Sequence, residues 1–174
     1  MVLVTSHLAS LFALRPALHR EGFDDRFGVG YRYSLFEIPK GLSLGSQLYE
    51  GKQVLKRGGI VMIVADGYMG SSRGIEFSLF GRRRVFRTGF AELALSTGAG
   101  IVPVSTSMDT TGHAVIRFMP PLEIPSLSHQ QQTESLVSQY VEILHREWAE
   151  NLGNVTWRHL KKFLQLQSVS EPTE

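Results

Sequence analysis

An α/β fold, a single-domain sandwich with a central mixed, mostly parallel sheet flanked by helices, is what this 174-residue sequence predicts. Three observations lead there. Residues 60–65 are a continuous apolar run of strand length, and 100–107 read as a second buried strand, as strands covered on both faces require. Segments with helical apolar spacing stand between and after them. Strand and helix patterns alternate along the chain, which is the signature of layered α/β architecture.

The elements follow in order. Residues 2–6 (VLVTS) form a short β-branched strand. Residues 7–18 have helical spacing, interrupted by Pro16. Residues 27–36 resemble a strand, with Gly28 and Gly30 marking an edge or bulge. Ser43 is a helix cap for a segment running to Lys56 and ending at Gly58 and Gly59. The apolar strand 60–65 then leads into Asp66, and residues 67–84 are a loop or hairpin. Thr88 caps a helix over 89–97, closed by Gly98. The second apolar strand, 100–107, pairs as a hairpin with 113–118, which Pro120 and Pro121 terminate. A long helix is expected over 131–152, with Val137, Tyr140, Val141, Leu144 and Trp148 on one stripe and Gly153 as its cap. The last helix covers 156–166. The domain is expected to span 1–167, and 168–174 to be a polar tail.

Composition narrows the function classes. Hydrophobic residues make up 43% and charged residues 20%, enough for a real core. A net charge of +2 gives no global argument for nucleic acid. With no cysteine, disulfides and thiolate metal sites are excluded. His113, His129, His145 and His159 show no metal-ligand spacing with one another, and neither metal nor cofactor is expected. No apolar run is long enough for a transmembrane helix.

Several residues are candidates for chemistry. His7 stands where a strand gives way to a helix, a position suited to a base, although a histidine there can equally cap the turn. Asp66 ends the 60–65 strand, where it can orient a base, bind a hydroxyl or hold a metal, or simply make an Asx turn with Gly67. Arg73, Arg82, Arg83, Arg84 and Arg87 lie close together, with Glu76 the one acid among them. Arginine binds phosphate bidentately and keeps its charge, yet such runs are often solvated faces. Here Phe77, Leu79, Phe80, Val85 and Phe86 interleave with them, as suits contact with lipid headgroups or an acyl donor. The GLSLG sequence around Ser43 matches a hydrolase elbow, but that motif needs a strand directly before it. Helix capping is the simpler explanation.

Together these segments resemble the lysophospholipid acyltransferase superfamily, and more closely its lipid A biosynthesis (lauroyl/myristoyl) branch. VLVTSH is similar to the strand bearing that branch's catalytic histidine. LKRGGIVMIVADG resembles its helix–glycine–strand–aspartate block, and FSLFGRRRVFRTGFAELALSTGAGIVPV its F-F-G, G-x-A-x-L-A and G-A-x-I-V-P block. NVTWRHLKKFL is similar to its C-terminal W-x-H-R-R-x-K signature. The resemblance implies acyl transfer from a thioester of acyl carrier protein or coenzyme A to a hydroxyl of a lipid or glycolipid. It makes His7 the general base. Asp66 stands beside the acceptor or orients the base, while Arg73, Phe80, Gly81, Arg82, Arg83, Arg84 and Arg87 line the substrate site. It also implies an anionic membrane surface as partner, no nucleic acid, and a cytoplasmic location peripheral to the inner face of the membrane.

Two departures accompany the resemblance. The family's acid five residues after the histidine is replaced by Phe12, and its N-terminal membrane segment is missing, so the chain reads as truncated at that end. A non-catalytic lipid-binding or scaffold relative is therefore the alternative, and a serine hydrolase through Ser43 the third reading.

Overall fold

The computed structural model describes residues 1–6, 8, 11–20, 44–66 and 74–164. Its four-stranded sheet contains β1 (Val2–Thr5), β2 (Val61–Val64), β5 (Ile101–Met108) and β6 (Ala114–Phe118), in the spatial order β2-β1-β5-β6. β1 runs parallel to both β2 and β5, and β6 closes the edge antiparallel to β5. This is the mixed, mostly parallel sheet that the sequence predicts. Its parallel strands are apolar on successive residues because both faces are covered.

Helix α1 (Leu11–Arg20) lies on one face, where Leu14 and Leu18 pack with Leu3, Ile60 and Val104. On the other face are α2 (Leu44–Lys56), α3 (Gly89–Thr97) and α4 (His129–Glu150). Their Val54, Leu55, Phe90, Leu93, Leu136, Val137 and Leu144 meet Val2, Val4 and Ile101 in the larger core. Strand alternation explains the division: Val2 and Val4 point to one face and Leu3 to the other.

The 67–84 stretch, read as a loop or hairpin, contains a two-stranded ribbon outside the main sheet. β3 (Ile75–Leu79) pairs antiparallel with β4 (Arg82–Phe86) through a turn at Phe80 and Gly81. Both turn residues have positive φ, 49° and 70°, which is the geometry a two-residue hairpin turn needs. Gly98 has φ 68° and closes α3 as expected.

Thr88 occupies the N-cap position of α3 as expected, although its side chain makes no capping bond. Two boundary expectations change. Helix α4 starts earlier than residue 131, because Gln131 Oε1 accepts hydrogen bonds from both the backbone N–H and the hydroxyl of Ser128, at 3.3 and 2.7 Å. Asn151, not Gly153, caps it, and Leu152–Asn154 is a single 3-10 turn. Then α5 (Trp157–Leu164) follows. The expected strand 27–36, Ser43 and residues 165–174 lie outside the described residues.

Candidate functional site

The carboxyl ends of the three parallel strands collect buried polar side chains. Thr5 and Ser6 end β1, Asp66 follows β2, and Ser105 and Thr106 sit on β5, all buried. Thr5 pairs with Val64, so Asp66 leaves the sheet beside the segment on which Ser6 lies. Polar groups are costly to bury, and here they gather where ligands bind in open α/β sheets. Asp66 is 1% exposed and has a bonded or charged partner.

Above this edge lies the β3–β4 ribbon. Strand period separates its two faces. Glu76, Ser78, Arg83 and Val85 point one way, while Phe77, Leu79, Arg82, Arg84 and Phe86 point toward the protein. The consequence for the arginines is sharp. Arg83 is exposed and makes a bidentate ion pair with Glu76, Nε to Oε1 at 2.7 Å and Nη2 to Oε2 at 2.8 Å. Arg87 is exposed and Arg82 partly buried. Arg84, from a run that in sequence alone could equally be a solvated face, is only 4% exposed. Its guanidinium lies 5.3 Å from the Trp148 ring of α4 and 5.3 Å from the Phe163 ring of α5, which is cation–π range. Its Nε and Nη1 find no hydrogen-bond partner among the described residues. Burial pulls its pKa down, while the negative charge of Asp66 pushes it back up. Of the three consecutive arginines, only Arg84 is buried in the interior.

Tyr140 of α4 completes the centre. Its hydroxyl donates to the Thr5 carbonyl at 2.6 Å, tying α4 to the end of β1. Burial first, and the nearby Asp66 charge second, hold the phenol well above its ordinary pKa near 10. A folded pKa above the unfolded value means stability that is fully present below about pH 10 and lost as pH rises further. Replacing Tyr140 with Phe is expected to cost about 1 kcal/mol in urea unfolding. The cost stays at that size because the Thr5 carbonyl keeps a second donor, Ala65 N–H at 3.0 Å. The variant should also lose less stability than wild type between about pH 10 and 11. An unchanged alkaline limb would exclude Tyr140 as its cause.

Glu147 is a buried acid that the sequence reading missed. Its carboxylate accepts a short hydrogen bond from the Ser105 hydroxyl and lies 3.9 Å from Arg117 Nη1. The signal was there: Glu147 is seven residues after Tyr140, in phase with the apolar stripe of α4. Beyond it, a surface cavity of about 600 Å³ runs between α4 and the chain after β6, lined by Arg117, Pro120, Leu122, Glu142 and Arg146.

The ribbon tip is pinned from two sides. Phe80 stacks on His145, ring centroids 4.2 Å apart, and meets Phe163 edge-on at 6.2 Å. Leu8 bridges Val155 just before α5, so the segment after β1 and the segment before α5 meet there. Of the predicted site residues, the structure brings Asp66, Arg84 and, through Phe163, Phe80 into one region. His7 and Arg73 lie outside the described residues. No helix among the described residues is long and apolar enough to cross a membrane.

A family model described as bacterial lipid A biosynthesis acyltransferase matches residues 44–150, from α2 to the end of α4. That span includes Asp66 and the β3–β4 ribbon, and begins after His7. Among curated proteins, none matches this chain.

Proposed function

This chain belongs to the bacterial lipid A biosynthesis acyltransferase family, and from that premise we propose that it moves a fatty acyl group from a thioester of acyl carrier protein or coenzyme A to a hydroxyl of a lipid or glycolipid. The observation that carries the reading is the buried Asp66 at the carboxyl edge of the parallel strands, within electrostatic reach of the buried Arg84. In this proposal His7, next in sequence after Ser6, takes the proton of the acceptor hydroxyl. The oxygen attacks the thioester carbonyl, the C–O bond forms, the C–S bond breaks, and the departing thiolate recovers the proton from the imidazolium. Asp66 orients the base or holds the acceptor hydroxyl. Arg73, Arg82, Arg83 and Arg87 take phosphates of donor or acceptor, with Phe80 and Gly81 at the ribbon turn beside them, while the buried Arg84 supports the site from beneath. The same basic ribbon suits a protein that works peripherally on the anionic inner face of a membrane.

Phe12, in place of the acid the resemblance implies, favours a second reading: a lipid-binding relative without turnover. Acyl-product formation, followed by mass spectrometry with lauroyl thioesters as donors and phosphorylated or unphosphorylated glycolipid acceptors, tests both. Replacing Arg83 and Arg87 together with Ala should raise KM for the phosphorylated acceptor by about tenfold, the size of one lost charge-assisted contact. KM for the unphosphorylated acceptor should hold. Equal effects on both acceptors would remove the phosphate role, and absence of any product would leave the binder.

A further inference from the structure

We propose that the outward face of α5 is a contact surface for anionic lipid, with Trp157 and Leu164 as its inserting side chains. Trp157 is 70% exposed, Leu164 50%, and Leu152 in the preceding turn 54%. Trp157 and Leu164 are seven residues apart, within about 20° of two full helical turns, so they share one stripe. The exposed Lys161 lies on the same side. The opposite side holds the buried Phe163 and His159, and Phe163 packs edge-on against Trp148 at 5.6 Å. The fold therefore anchors α5 through one face, and the other presents Trp157 and Leu164 to the surroundings.

The sequence of α5 selects the occupant. Within WRHLKKFL there are three cations, Arg158, Lys161 and Lys162, and no acid. A tryptophan and leucines set among cations, with no acid, complement negatively charged headgroups above an acyl layer. The Leu8–Val155 bridge sets the start of α5 beside the end of β1. A bilayer held there would lie next to the strand ends where Asp66 is buried. This deepens the acyl-transfer reading, and rests on it only in taking a lipid as acceptor. It is a different surface from the arginine ribbon, whose Arg83 is engaged with Glu76.

The test uses the full chain with phosphatidylglycerol/phosphatidylcholine vesicles carrying bromine-labelled acyl chains, and with phosphatidylcholine vesicles alone. Anionic vesicles should blue-shift and quench the tryptophan emission. In Trp157→Phe the signal should vanish, because the remaining Trp148 is buried in the core. Trp157→Ser combined with Leu164→Ser should weaken vesicle binding about tenfold or more. Lys161→Gln should weaken it about fivefold, in a salt-dependent way. Both residues are exposed, so thermal unfolding of the double variant should match wild type. Absence of quenching in wild type would overturn the proposal. So would undiminished binding by the double variant, or a concentration-dependent dimer that the double variant loses, since the face would then belong to a second copy. Acyl transfer to a detergent-solubilised acceptor separates the two readings. Quenching without transfer keeps the lipid surface and drops the enzyme, and transfer without quenching does the reverse.

Discussion

Replacing His7 with Ala is expected to lower acyl transfer by about 100-fold or more, the usual size of a general-base contribution. A hydroxyl must shed its proton as it attacks a thioester, and a neutral imidazole can take that proton near pH 7. The residue follows Ser6, at the buried carboxyl end of β1, where Tyr140 clamps the Thr5 carbonyl. Position 12 falls in the first turn of α1 and holds Phe where the resemblance implies an acid. An unoriented imidazole is a poorer base, so wild-type turnover should be slow and Phe12→Asp should raise it. Turnover measured with wild type, His7→Ala and Phe12→Asp decides the matter. Equal rates for wild type and His7→Ala, both active or both silent, would remove His7 as the base.

The second large effect concerns Arg84. Arg84→Ala is expected to cost about 3 kcal/mol in urea unfolding: about 2 for the desolvated cation on two aromatic faces, and the rest for lost packing. Arg84→Met should stay within about 1 kcal/mol of wild type. Methionine fills much of the same space, and its substitution also removes two buried N–H groups that have no partner among the described residues. If Met is as damaging as Ala, then the charge itself holds the fold, because the buried Asp66 loses the favourable charge of Arg84. If Met keeps the stability but loses acyl transfer, the charge serves the chemistry at the strand ends. Retained stability and retained transfer would leave Arg84 as packing alone.

Much of the fold was legible in local patterns. The apolar run at 60–65 and the apolar start of 100–107 name the buried strands β2 and β5, because strands covered on both faces lack the regular polar alternation of a half-exposed strand. The 3.6-residue stripe through Val137, Tyr140, Val141, Leu144 and Trp148 names the inner face of α4, and all five are buried there. Asp66 at the end of an apolar strand is likewise local information, and so is Gly98 with its left-handed backbone. The helix starts were less legible. Ser128 caps α4 through Gln131, a reciprocal contact that hydrophobic spacing does not register.

The sequence by itself determined the layers, the strand that ends in Asp66 and the presence of an arginine cluster near it. Each of these depends on residues within a few positions of one another. Only the tertiary structure decided which arginine turns inward. That choice follows from the pairing of Phe77 with Arg84 and from where the ribbon lands on α4 and α5. It likewise decided that Glu147, an ordinary helix acid in the sequence, is buried against Ser105, 42 residues away along the chain. The physical reason is the same in both cases. Burial of a charge is set by what a distant element packs over it, and its cost is met only by partners that folding brings from elsewhere.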